Sequence, residues 1–167
     1  MFGRRGATSQ NPSASGQLEV SAVAVVRAPL EEVWDFVEEP AFALLDPMIE
    51  ESTWLGDRRG VGALQVFVHR VEGVPKVGAI EIVEYERLSR AVYCSAGALD
   101  YLQPTGGSVE MSEHGDVVRV VLSSWMDVSR RPALGRQDER MTARLQLDVD
   151  AQVRRVSQRF APAGDAY

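Results

Sequence analysis

The stretch Leu134–Phe160, LGRQDERMTARLQLDVDAQVRRVSQRF, decides how the rest of the chain is read. Wound at about 100° per residue, Leu134, Met141, Leu145, Val149, Val153, Val156 and Phe160 fall within about a 120° arc, which marks a helix with one apolar stripe. Pro132 precedes it and Pro162 follows it, and a helix interior rejects proline. Gly135 weakens the first turn, so the regular helix is expected from near Gln137, roughly 24 residues and ~36 Å long. A helix with a single apolar stripe has to bury that stripe, here across a sheet.

The sheet is written upstream in short β-rich runs. Leu18–Arg27 reads as a first strand, stopped at Ala28-Pro29. Proline suits the first turn of a helix, and in LEEVWDFV the residues Leu30, Val33, Trp34 and Val37 share one helical face. Pro40 interrupts this helix, and AFALLD reads as a second short one ended by Pro47. Strands are then expected near residues 51–55, 63–71, 77–85, 90–98, 108–112 and 117–128. GDRRGVG, Glu72-Gly73, the loop DYLQPTGG and EHGD supply turns between them, a pattern of antiparallel pairing. The fold class expected is α+β.

Composition agrees. The 167 residues suit one domain, 45% of them are apolar, and 23 are valine, a residue that favours strands. The expected layout is a disordered tail at 1–16, a domain at 17–161 and a short tail at 162–167. The net charge of −6 argues against nucleic acid as a partner, because phosphate neutralisation needs a basic surface. One cysteine, Cys94, and two histidines, His69 and His114, rule out a disulfide framework and leave little for a metal site. No metal and no cofactor is expected. No run is apolar enough for a membrane span, and MFGRRGATSQNPSASGQ has no apolar core behind its arginines, so the expected compartment is the cytoplasm. Residues 28–57 hold nine acids and no Arg or Lys, whereas residues 130–160 hold eight arginines against four acids. Glu38 or Glu39 is therefore expected near Arg154, Arg155 or Arg159.

VVRAP-LEEVWDFVEEP, WLGDRRGVGALQVF and IEIVEYERLSRAV, in that order and followed by the long helix, resemble the START-related helix-grip (SRPBCC) superfamily, in its polyketide cyclase/dehydrase-like branch. The likeness covers about 140 residues. It implies a helix-grip fold: a curved antiparallel sheet of six or seven strands around the C-terminal helix, with two short helices after the first strand. It also implies an elongated cavity for an apolar molecule between sheet and helix. Activities in the family are diverse, so fold does not choose among them, and the family has no shared catalytic signature to carry across.

The candidate site residues are read on this frame. If the strand after Gly62 alternates as in the family, Gln65, Phe67 and His69 point inward; apolarity alone prefers the opposite parity, with Leu64, Val66 and Val68 inside. An inward His69 titrates near neutrality and could serve as an acid or base. Asp138 lies within the helix stripe and is the second such candidate, although an acid also belongs near a helix N-terminus. Ile80, Ile82 and Glu84 share one parity; Val120, Leu122, Ser124 and Met126 share another. Together with Met141, Leu145, Gln152, Arg144 at the stripe edge and Tyr101 in the long loop, these are the expected ligand contacts. Three functions stay open. One is a cyclase/aromatase-like protein of bacterial secondary metabolism acting on a polyketide- or lipid-like molecule without metal or cofactor. The second is a non-catalytic carrier, sensor or sequestering protein. The third is an interaction module using an exposed Leu64/Val66/Val68 strip. A monomer or a homodimer fits each.

Overall fold

The structure, a computed structural model, describes residues 16–45, 49–56, 59–71, 73–96, 105–128 and 135–161. Residues 1–15 of the tail expected at 1–16, the tail at 162–167 and Tyr101 lie outside the described residues; the end of the expected loop DYLQPTGG is corrected, because Thr105, Gly106 and Gly107 open a strand. The chain runs β1 (Gln17–Val26), α1 (Leu30–Glu38), a short 3-10 helix (Pro40–Leu45), β2 (Ile49–Leu55), β3 (Leu64–Val71), β4 (Val74–Glu86), β5 (Arg90–Ser95), β6 (Thr105–His114), β7 (Val117–Asp127) and α2 (Gly135–Arg159). Local chemistry sets the boundaries. Val33 N–H closes the first turn of α1 on the Pro29 carbonyl at 3.2 Å, and Glu31 and Glu32 sit in that turn, where acids oppose the helix dipole. Glu39 is extended at φ −61°, ψ 133°, as a residue before proline prefers to be.

The seven strands form one antiparallel sheet in the order β1-β7-β6-β5-β4-β3-β2. The α2 helix rests on β1 and β7, α1 meets β6, and the 3-10 helix packs over β2. Cross-strand register defines the inner face as a set of rows. One row is Tyr85, Ala91, Val109, Leu122 and Ala22; the next is Ile82, Tyr93, Gly107, Ser124 and Val20; a third is Trp54, Gln65, Ile80 and Ser95.

A bulge between Ile82 and Glu84 corrects one expectation. Bulges insert an extra residue and shift the alternation. Glu84 therefore leaves the face of Ile82 and meets Arg90 at 3.0 Å on the outer surface, while Tyr85 takes the inward place. The charge expectation also needs correcting. The ion pairs of α1 run from Glu31 and Asp35 to Arg87, at 3.4 and 3.7 Å, and Glu38 turns inward. Leu64, Val66 and Val68 lie on the outer face, half-buried and not exposed as the interaction reading required, with Leu55 and Val77 exposed beside them.

Candidate functional site

The inner face is closed at one end and open at the other. At the α1 end, Val26, Val33, Trp34, Val37, Met111, Val118, Val120 and Val156 pack into one cluster, with Val33, Trp34, Val120 and Val156 at 0% exposure. Towards the start of α2, inward-facing Ile80, Phe67, Thr105, Ser124 and Met126 are only half-buried, and Ser95 is exposed. The middle row explains the change. Gly107 is glycine because a Cβ there would approach the Ser123 carbonyl oxygen to 2.6 Å. With Gly107 and Ser124 beside it, Tyr93 has no bulky cross-strand neighbour on that side.

A polar group sits where the two ends meet. Trp34 and Glu38 lie four residues apart on α1, hence on one helical face, and that face meets Tyr85. The Trp34 and Tyr85 rings pack edge to face at 5.9 Å. Trp34 Nε1 and Glu38 Oε1 are buried and neither makes a hydrogen bond of ordinary length, but both face the Tyr85 hydroxyl closely enough to pair with it, Trp34 as donor and Glu38 as acceptor. Burial pushes that hydroxyl above the usual tyrosine range, Glu38 adds to the push, and Trp34 opposes it. Tyr93 is pushed up further, by burial first and then by the charges of Glu38 and Tyr85. Yet Tyr93 keeps accessible surface. A third such atom, Trp54 Nε1, is buried on the same inner face, with the Arg59 guanidinium 4.7 Å over its ring.

The residues named from sequence are placed as follows. Gln65, Phe67 and His69 share the face of Ile80. Gln65 is 7% exposed and donates from Nε2 to Ser52 Oγ at 2.7 Å. The Phe67 ring lies over Gly78, where a Cβ would come within 2.5 Å of it, and the His69 ring is 5.6 Å from it. Ile82, Val120 and Leu122 are closed core, whereas Met141, Leu145 and Gln152 are half-buried on α2. Asp138, also half-buried, sits in the first turn of α2. Arg144 is exposed and pairs with Asp148 one turn along α2, at 3.2 Å. Among the described residues no group of three or more His, Cys, Asp or Glu could hold a metal ion, and no helix is long and apolar enough to cross a membrane. A depression of about 250 Å³ lined by Ser89, Arg90, Glu110, Met111, Ser112 and Arg119 opens on the outer side of the sheet, where Arg90 pairs with Glu84 and Glu110. It contains none of the residues named from sequence.

Sequence reading gives Glu38 an arginine partner on α2 and does not single out Tyr85 or Tyr93. The signal for Glu38 was present, since it follows Trp34 by four residues on the apolar face. Tyr85 was hidden by the bulge.

No protein-family model and no curated protein matches the chain. Solved structures do. The Zhui aromatase/cyclase from Streptomyces sp. R1128 aligns over 89% of this chain and 98% of its own, with a TM-score of 0.62 at 15% identity. A START superfamily protein from Mycobacterium smegmatis aligns over 84% and 97%, with a TM-score of 0.62 at 16% identity. The chain shares their helix-grip fold. The di-domain ARO/CYC StfQ from the steffimycin biosynthetic pathway is similar over 88% of this chain and 52% of that one, with a TM-score of 0.65 at 13% identity. The helix-grip expectation, with its curved antiparallel sheet and long terminal helix, therefore holds.

Proposed function

We propose that this protein binds an elongated apolar molecule of polyketide type on the open half of the inner face, between β3–β7 and the first half of α2, as a cytoplasmic protein of bacterial secondary metabolism. One observation carries the reading. Tyr93 stands in the middle row of the inner face with only Gly107 and Ser124 beside it towards β7, and it keeps accessible surface. An aromatic ring with small neighbours, among apolar walls with few polar groups, suits an apolar ligand. The likeness to aromatase/cyclases supports the polyketide class.

Turnover would need little covalent chemistry, because folding a flexible chain into a reactive conformer supplies much of a cyclisation. His69 and Asp138 are the acid/base candidates on this face. His69 rests against Phe67, and Asp138 occupies a place where the helix dipole already favours an acid. The geometry therefore supports a binder more strongly than a catalyst. Native mass spectrometry of freshly purified protein tests this, with an extract of the source organism as ligand supply. The expected result is a retained apolar compound, returned unchanged by wild type, His69→Ala and Asp138→Ala alike. Conversion slowed about 10²-fold or more by one substitution, with binding kept, makes the protein a cyclase-like enzyme instead. No bound compound from either source overturns the binding reading.

A further inference from the structure

An antiparallel sheet covered on one face usually turns polar residues outward on the other, and here the outer face is apolar. The strip Leu64, Val66 and Val68 on β3 is half-buried, but Leu55 of β2 and Val77 of β4, its register neighbours, are each 62% exposed. Further across the same face the half-buried Trp125 indole lies flat on Gly106, where a Cβ would collide with the ring. Glu81 stands in the row between Leu64 and Trp125, with Glu51 and Glu19 at the margins. None of these three acids has an ion-pair partner among the described residues. The opposite surface of the molecule has the complementary character. The α2 helix rests on the inner face of the sheet, so its other side points away from it. That side carries Leu147, 65% exposed, with Ala143 and Ala151 about one turn to either side and Arg140 and Arg154 about two turns to either side, all exposed. Neither arginine has an ion-pair partner among the described residues, and the acid in the same sector, Asp150, already accepts from Gln146 at 3.1 Å.

We infer that the chain associates head to tail with copies of itself, the outer side of α2 in one copy lying across the outer face of β2–β7 in the next. The two surfaces match in charge, because arginines border the apolar residue of the helix and acids stand among those of the sheet. They match in length, because Arg140 to Arg154 spans roughly 21 Å along the helix axis and β2 to β7 spans roughly 24 Å across the strands. They match in layer chemistry, since a helix and a sheet each bury an apolar surface against the other. Tryptophan and arginine are also the residues on which binding energy concentrates in such contacts. A second copy is the occupant because both halves of the contact are already on this chain. The two surfaces look in opposite directions, so the contact cannot close on a dimer; a heterologous contact of this kind builds rings or open chains. One helix face buries at most about 1,000 Å² in total, the low end for a specific contact, so the dissociation constant is on the order of tens of micromolar. The inference uses the outside of the sheet and is independent of the binding reading.

Sedimentation velocity of the full chain between about 1 and about 200 μM tests this, a range that brackets the expected constant. Wild type should be monomeric at the low end, and its average mass should pass that of a dimer at the high end. Leu147→Asp blocks the helix surface and Val77→Asp blocks the sheet surface, and each variant alone should stay monomeric throughout. Mixed in equal amounts, the two should form a heterodimer and stop there, because each supplies the surface that the other lacks. Should either variant fail to fold, Arg154→Glu replaces Leu147→Asp and Glu81→Arg replaces Val77→Asp, judged by the same masses. A wild type that stays monomeric at the high end overturns the inference. So does a wild-type mass that stops at the dimer, or a mixture that stays monomeric or grows past the dimer.

Discussion

The two ends of the inner face are built from the same strands and differ in what stands on them. At the closed end β1, β6 and β7 carry Val26, Met111, Val118 and Val120 under α1 and the second half of α2. At the open end β6 and β7 carry Thr105, Ser124 and Met126, all half-buried, while β1 keeps Leu18 and Val20 buried beside them. The gradient from large apolar to small or polar therefore belongs to β6 and β7, and the helix above grades with them, from Val156 and Val149, both buried, to Met141 and Asp138, both half-buried. One end is fully buried, and the other keeps accessible surface on its inner face.

The largest expected difference is in stability. Trp34→Ala at the closed end removes a fully buried indole and should cost about 3–5 kcal/mol, read as a drop in the urea unfolding midpoint. Phe67→Ala at the open end, where the ring covers only one side of Gly78, should cost less than half as much. Equal losses would abolish the distinction between the ends.

The middle row sharpens it next. Ser124→Phe places a ring beside Gly107 and Tyr93. In a filled core such overpacking costs about 1–3 kcal/mol. In an open one it should cost less than about 1 kcal/mol and weaken binding of the retained compound by about tenfold or more. A variant that is strongly destabilised and still binds would show that this row is packed. Glu38→Leu probes the boundary between the ends. It removes the carboxylate that faces the Tyr85 hydroxyl and should lower stability by about 1–3 kcal/mol, the cost of a buried polar group left without its partner. Unchanged stability would show that Glu38 has no structural role.

Tyr85 and Tyr93 give a pH signature to the same boundary. Free tyrosine has a reference value of 10.0, and burial holds both hydroxyls above it in the folded chain. Above about pH 10 the folded protein then keeps protons that the unfolded chain has lost. Stability is intact below that pH and falls as pH rises through and beyond it. Unfolding midpoints at pH 9, 10 and 11 should show this fall, and Tyr93→Phe should flatten it. An identical fall in Tyr93→Phe would assign the effect to other groups.

How much of this was legible in the sequence follows from how each feature is encoded. The α2 stripe and the turn-punctuated strands are local, repeating patterns, so Met141, Leu145, Val149 and Val156 could be placed from spacing alone. The inner parity of β3 was not local: apolarity favoured Leu64, Val66 and Val68 inside, yet the register with Ile80 puts Gln65, Phe67 and His69 there. The flat contact of Phe67 on Gly78 and the bond from Gln65 to Ser52 satisfy that choice through neighbouring strands. The bulge after Ile82 broke the alternation that pointed to Glu84 and concealed Tyr85. Glu38 reads as a surface charge because the segment around it is acidic; its interior place comes from its approach to Tyr85 and Tyr93, which are far along the chain.

The smallest expected effect concerns the outer side of α2. Arg144 borders the apolar stripe in the sequence, where a cation could meet a ligand oxygen. In the structure its side chain is exposed and reaches Asp148 along the helix. Exposed pairs at this spacing contribute about 0.3–0.5 kcal/mol, because water screens both charges and both side chains lose freedom. Arg144→Ala should therefore move the unfolding midpoint by no more than that and leave the affinity for the retained compound within about twofold. A tenfold loss of affinity with stability unchanged would carry the binding surface over the edge of α2, and the open end would then be wider than the half-buried rows of the sheet define.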